Sequence, residues 1–260
     1  MANATQTHLV TMVRELNRVL TASHIEFFLI GGSAIGAVRD HGLIPWDDDI
    51  DIGIKRENIP AFVAAVQQSD LMDHYRLIIP GETPDYYFPT YKLLLDLSGT
   101  DAPVDVGTGF QGVFIDIFAL DKTYANKYLR RTHQLQIRLD QIRLDLAKGV
   151  TNAADNLGAF KNVVQNQAKQ KSKQQLFAKY LRDIQKLKRL KKGFIYYNFG
   201  SPYAWDRERY EAPEVAKAVL IDFEGEPFPV AVGYDAIMTR TYGDYMTPPK
   251  QADQKPKHLE

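Results

Sequence analysis

Residues 46–54 read Trp46-Asp47-Asp48-Asp49-Ile50-Asp51-Ile52-Gly53-Ile54. Side chains of an extended strand alternate between its two faces. That alternation puts Asp47, Asp49 and Asp51 on one face and Ile50, Ile52 and Ile54 on the other, with Asp48 on the isoleucine side. Carboxylates crowded on one face repel unless a positive charge lies among them, and hard oxygen donors in such a group suit Mg2+ or Mn2+. A calcium-binding EF-hand loop also begins with alternating aspartates. Counted from Asp47, however, its glycine position holds Ile52 and its closing glutamate position holds Asn58. A solvated acidic turn is a poor alternative, because the flanking isoleucines call for burial. The register further expects Asp48→Asn to matter less than Asp51→Asn.

A second acidic strand, Phe114-Ile115-Asp116-Ile117-Phe118, embeds one carboxylate in an apolar run. A buried carboxylate is costly unless compensated. A metal shared with Asp49 and Asp51 would compensate Asp116; a structural salt bridge is the alternative. Upstream, Gly31-Gly32-Ser33 ends an apolar run and opens a short helix reaching Val38. Glycines let a phosphate approach the backbone, a helix N-terminus offers free N–H groups, and Ser33 is suited to cap it. Arg39 follows and could grip a phosphate in a fork; its alternative is a surface pair with Asp40.

Working outward, Leu9, Met12, Val13, Leu16, Val19 and Leu20 fall at helical spacing within residues 5–22. Strands are expected at Ile25–Ile30, Ile50–Ile54, Arg76–Ile79, Tyr91–Leu97 and Val113–Ala119, and a helix from Pro60 to Val66. Beyond Asp121 the pattern turns helical. Tyr128, Leu135, Leu139, Ile142 and Leu146 form one stripe, and Leu176, Tyr180, Ile184 and Leu187 another. The class is α+β, with a mixed core over 1–120 and a mainly helical part over 121–260 packed on it as one continuous domain.

The chain has 260 residues, no cysteine and zero formal net charge. The missing cysteines exclude disulfides, thiolate zinc sites and thiol catalysis. No secretory signal or apolar run of spanning length is read, so a soluble cytoplasmic protein is expected. The charge is uneven: residues 161–192 hold eleven lysines and arginines against Asp183 alone, a net of +10. Such a segment is expected to meet an anionic membrane surface or another polyanion, with a solvated helix face as the plain alternative. A basic scaffold without enzymatic activity is a rival reading, but it leaves Asp49, Asp51 and Asp116 unexplained.

The run Gly31-Gly-Ser-Ala-Ile-Gly-Ala-Val-Arg39, followed by Gly42-Leu-Ile-Pro-Trp-Asp-Asp-Asp-Ile-Asp-Ile52, resembles the signature of the LicD family, related to fukutin and part of the nucleotidyltransferase superfamily. Ile115-Asp-Ile-Phe118, Phe223-Glu-Gly225, Tyr242-Gly-Asp-Tyr-Met246 and Pro248-Pro249 are similar to later motifs, the last three closing the chain between 223 and 249. The resemblance implies a nucleotidyltransferase-type mixed sheet with flanking helices. It implies transfer of a phosphorylated alcohol, such as phosphocholine or a polyol phosphate, from a CDP-linked donor. The acceptor would be a hydroxyl of a cell-surface glycan such as lipopolysaccharide or teichoic acid, or a lipid-linked precursor at the inner face of the membrane. No nucleic-acid partner is expected. By position, Asp49, Asp51 and Asp116 would bind Mg2+ or Mn2+, Asp116 would accept the acceptor's proton, and Gly32, Ser33, Arg39 and Asp47 would face the donor. Transfer of the nucleotide itself would use the same carboxylates. Tyr86-Tyr87-Phe88 or Tyr196-Tyr197 would offer rings for a base or a cationic head group.

Overall fold

A computed structural model describes residues 4–254 apart from Val106, Pro202, Ala204 and Trp205. Its centre is a mixed nine-stranded sheet in the order β3-β4-β5-β2-β1-β9-β8, with β6 on β5 and β7 on β6. The strands are β1 (Phe28–Leu29), β2 (Ile50–Lys55), β3 (Arg76–Ile78), β4 (Tyr91–Asp96), β5 (Gly112–Tyr124), β6 (Phe194–Asn198), β7 (Arg209–Tyr210), β8 (Ala218–Phe223) and β9 (Glu226–Ala231). The α-helices are α1 (Ala4–Ala22), α2 (Gly31–Ile35), α3 (Ile59–Gln67), α4 (Lys127–Lys148), α5 (Lys161–Lys169), α6 (Lys173–Ile184) and α7 (Tyr234–Tyr242). The architecture is α+β, as the sequence pattern indicates.

The central pair explains the alternation in residues 50–54. β2 runs parallel to β5 with Ile50 opposite Ile115, Asp51 opposite Asp116 and Ile52 opposite Ile117. Ile50, Ile52 and Ile54 are wholly buried in one cluster with Ile115, Ile117, Leu9, Leu16 and Phe62. The isoleucine face of the sheet is thus covered by α1 and α3. The other face carries the aspartates. Gln6 of α1 donates from its amide to the carbonyls of Ile44, Pro45 and Asp47 at 3.3, 3.2 and 3.1 Å, tying the approach to β2 onto the helix.

Several expectations need correction. The run Ile25–Ile30 pairs as a strand only at Phe28–Leu29. Ser33 does not cap α2: the cap is Ile30, and the helix runs on as a π-turn over Gly36–Asp40 before His41 ends it with φ +57°. Nor does the chain stay helical after 121, because four strands follow residue 193. Pro227 and Pro229 obscure β9, since proline has no N–H for a ladder. β9 tolerates them because β8 covers its whole length while β1 meets it only at Val230. The division at 120/121 falls inside β5, whose first half pairs with β4 and second half with β6.

α4, α5 and α6 pack as a separate helical group. Ile137, Leu144, Leu176, Phe177, Tyr180 and Ile184 form one cluster, and Ile142, Ala154 and Val164 another. The α4 stripe is covered only at its C-terminal end, for Tyr128 is 77% and Leu135 54% exposed. Of the aromatic residues expected at a ligand, Tyr87 and Phe88 are half-buried and three are buried. Tyr86 is buried, donates to the Thr90 carbonyl at 2.6 Å and stacks on Phe110; Tyr196 and Tyr197 are buried in β6.

Where β2 ends and β5 continues, Arg56 grips Asp121 through Nε and Nη2, both at 2.8 Å, with the two side chains 7% and 2% exposed. Removing one partner of a buried pair leaves an uncompensated charge. Asp121→Ala is expected to lower unfolding free energy by about 3–5 kcal/mol, read by urea denaturation at neutral pH. A loss no larger than that of an exposed surface pair would show that the charge finds water.

Candidate active site

On the face opposite the isoleucines, three adjacent strands bring a row of charged side chains together. Lys92 of β4 is opposite Asp116 of β5, which is opposite Asp51 of β2. Asp49, just before β2, completes the group: one carboxylate oxygen each from Asp49, Asp51 and Asp116 lie within 4.8 Å of one another. A second group of the same tightness joins Asp49 to Asp47 and Asp48.

The strand parity assigned to Asp47, Asp48 and Asp49 is therefore revised. β2 starts only at Ile50, so the alternation that places Asp51 does not extend back through them. Asp48 is buried and shares a carboxylate cluster with its neighbours rather than turning away from them. The expectation that Asp48 is functionally remote loses its basis.

Burial and mutual repulsion act on this cluster in the same direction. Asp49 is pushed up to about 7, first by desolvation, then by Asp116 and Asp48, with Lys92 opposing. Asp51 is raised well above the usual carboxylate range, again first by burial and then by Asp49, Asp116 and Asp47. The cation that meets these acids is Lys92, which the strand pattern did not single out. Its Nζ lies 2.7 Å from Asp116 Oδ1 and 3.4 Å from Asp105 Oδ2, and 3.4 Å above the Phe114 ring. Among the described residues it is the only buried lysine. Asp105 is itself held by the Gly107 N–H at 3.0 Å and by the Thr108 hydroxyl.

The glycine turn is explained by the same carboxylates. Gly31 sits at φ +58°, and a Cβ there would come within 2.7 Å of Asp51 Oδ2; one on Gly32 would come within 2.5 Å of Asp47 Oδ2. Ser33 is buried, and its hydroxyl accepts from the Asp51 N–H at 2.8 Å, fixing the strand at its acidic residue. Arg39 forms the pair with Asp40 that was its alternative reading: Nε reaches Oδ1 at 3.0 Å and Nη2 reaches Oδ2 at 2.7 Å. Its Nη1 donates to the Tyr245 carbonyl at 3.2 Å. Gly32 and Asp47 are thus brought to the cluster directly, Ser33 through the backbone, while Arg39 is engaged beside it.

Two further groups were not visible in the strand pattern. Glu208 is buried, accepts from the Tyr210 hydroxyl at 2.8 Å and Asn198 Nδ2 at 3.2 Å, and adds to the charge felt by Asp51. Tyr203 and Tyr242 meet edge to face at 5.3 Å, half-buried, with both hydroxyls raised by burial first and with Asp51 contributing. Tyr242 opens one of the closing motifs noted in the sequence; Tyr203 has no such signal.

The donor set fits a hard divalent cation. Two buried carboxylates and the half-buried Asp51 converge, and the lysine beside them pairs with Asp116. The folded chain without metal binds protons at Asp49 that the unfolded chain releases near pH 4. Stability is therefore present in full below that pH and falls as pH rises towards about 7, because the folded state holds the extra proton throughout the window. Thermal melts in EDTA should show this decline, Mg2+ should remove most of it, and Asp49→Asn should flatten it. A melt in EDTA that rises across the same window would contradict the buried-charge account.

The family described as LicD/FKTN/FKRP, nucleotidyltransferase domain, matches residues 24–89, which span the glycine turn and the first acidic strand. The lipopolysaccharide cholinephosphotransferase LicD of Haemophilus influenzae is 27% identical over 250 residues, covering 91% of this chain and 88% of that protein. The ribitol 5-phosphate transferase FKRP of Homo sapiens is 46% identical over 41 residues, 16% of this chain and 8% of that protein. The match to the bacterial enzyme covers most of the chain, which is thus similar to the LicD family, and the likeness supports a transferase of phosphate-containing groups.

Proposed function

We propose that this enzyme moves a phosphorylated alcohol, phosphocholine or a polyol phosphate, from a CDP-linked donor to a hydroxyl of a cell-surface glycan or its precursor. The observation that carries the reading is the convergence of Asp49, just before β2, with Asp51 and Asp116 of the paired strands. The relatives supply the reaction class: one is named for a choline phosphate and another for a ribitol phosphate.

In this reading Asp49, Asp51 and Asp116 hold Mg2+ or Mn2+, which when bound offsets the negative charge of the donor diphosphate. The acceptor oxygen forms a bond to the head-group phosphorus, the bond from that phosphorus to the CMP oxygen breaks, and CMP leaves. Asp116 takes the proton from the acceptor hydroxyl. Lys92, paired to one oxygen of Asp116 at 2.7 Å, fixes the direction of that carboxylate. Gly32 and Ser33 hold the turn against Asp47 and Asp51 without adding bulk, and Asp47 flanks the donor. Arg39 reaches a donor phosphate by exchanging Asp40 for it. Tyr203 and Tyr242 form a half-buried aromatic pair that feels the charge of Asp51 and is suited to a base or a cationic head group.

The proposed location is cytoplasmic and peripheral at the inner face of the membrane. Among the described residues no helix is long and apolar enough to cross one. Within the basic segment, Lys161 is paired with Asp155 and Lys179 with Asp140 and Asp183, whereas Lys186, Lys188, Arg189, Lys191 and Lys192 are exposed.

Incubation with CDP-choline, CDP-glycerol or CDP-ribitol and a glycan acceptor should release CMP from one of them, dependent on divalent metal. Asp51→Asn and Asp116→Asn should each lower the rate by about 10²–10³-fold, as expected when a charge-stabilising group is lost. Undiminished release in EDTA would overturn the metal role. Label from the nucleotide appearing on the acceptor would identify nucleotidyl transfer instead.

A further inference from the structure

Helix α4 carries an apolar stripe with no partner along half its length. Tyr128, Leu135 and Leu139 recur at helical spacing; Leu139 packs against the cluster of Ile142 and Val164, whereas Tyr128 is 77% and Leu135 54% exposed. α5 returns along α4: Ile142 and Val164 share a cluster, and Arg143 Nε donates to Gln167 at 2.9 Å. Between α4, α5 and α6 lies a groove of about 560 Å3 whose walls include Leu135, Leu139, Gln167, Gln170 and Leu176. Val163 falls on the α5 face of Gln167 and Gln170 and is 52% exposed, and Phe160, capping α5, is 71% exposed. Of the eleven exposed large hydrophobic residues among those described, six lie between 128 and 163. A concentrated apolar surface on an otherwise ordinary chain marks an interaction site.

The surrounding charge selects the partner. Residues 127–192 hold seventeen lysines and arginines against four aspartates, a net of +13. The groove itself is lined by Arg143, Lys171 and Lys179 against Asp140 alone. Two copies meeting through this face would bring like charges together. A nucleic acid would answer the charge but leave Tyr128, Phe160 and Val163 wet. An anionic bilayer answers both: basic side chains meet lipid headgroups while apolar ones enter the interfacial layer.

We infer that the α4–α5 face, centred on Tyr128, Leu135, Phe160 and Val163, inserts into an anionic membrane surface, with the cations of residues 161–192 around it. The apolar side chains, not the lysines alone, anchor the enzyme. The inference rests on the proposed peripheral location and not on the transfer chemistry, since none of these residues touches the carboxylate cluster. It therefore places the helical group, not the sheet, against the bilayer.

Sedimentation with vesicles of phosphatidylcholine, with and without phosphatidylglycerol, tests it. The intact protein should bind only the vesicles containing phosphatidylglycerol, less so at high salt. The variant Tyr128→Ser/Phe160→Ser/Val163→Ser should bind them about tenfold or more weakly, since it removes the apolar side chains and keeps every lysine and arginine. These positions are exposed, so the variant's melting curve and its CMP release with a soluble acceptor should match the parent. An intact protein that ignores vesicles containing phosphatidylglycerol, or a triple variant that binds them as well as the parent, overturns the inference. So does a variant that changes from dimer to monomer with vesicle binding unaltered, because the face would then belong to a second copy. Loss of the transfer reading would show instead as absent CMP release in both proteins, whatever the vesicles do.

Discussion

The structure depends on one row of side chains, Lys92–Asp116–Asp51, laid across three neighbouring strands. Hydrophobic burial on the reverse face sets the register, because a one-residue slip of β2 would turn Ile50, Ile52 and Ile54 outward. Once that register is fixed, Asp51 must stand beside Asp116. The acids are thus forced together by the packing of residues that take no part in the chemistry. Repulsion among them is held in a folded frame whose stability comes from the other side of the sheet.

That arrangement clarifies the division of labour in the glycine turn. Gly31, Gly32 and Ser33 read in sequence as a phosphate cradle. In the fold they are first of all the supports of Asp47 and Asp51: the glycines leave room for carboxylates that any Cβ would displace, and Ser33 binds the Asp51 backbone. A turn that fixes two acids of the cluster constrains the site before any ligand arrives. Arg39, by contrast, is held by Asp40 and by a backbone carbonyl rather than by the cluster's acids.

Much of this was legible in one dimension because it obeyed a period. The alternation around Ile52 located β2 and its buried face, and Asp116 stood out as a lone acid among apolar residues. Lys92 sits in an equally apolar run, but a lysine stem can lie along a surface with its head in water, so the run alone does not say that it is buried. Its partner is fixed by the pairing of β4 with β5 across a long loop, which local patterning does not encode. Asp48 was misplaced by extending the period one turn too far, into residues that lead up to the strand. β9 was missed because its prolines suppress the usual signal, although the sheet uses them where little ladder bonding is required.

The helical group follows a different logic. Its own clusters around Ile137 and Phe177, and around Ile142 and Val164, are distinct from the cluster that holds β2 and β5. Asp140, 2% exposed, is matched by Arg143 at 2.8 Å and Lys179 at 2.6 Å, and Asp183 by the same lysine, so these two acids are consumed inside the group. Lys186, Lys188, Arg189, Lys191 and Lys192 and the uncovered half of the α4 stripe are left outward. A segment with that composition would be a liability in the core of the sheet, where charge must be paired. Confined to helices that pack mainly on one another, it can change its charge and its apolar face without disturbing the register on which the carboxylates depend. Separate clusters thus let one chain keep a rigid, acidic centre and a basic, amphiphilic flank of opposite electrostatic character.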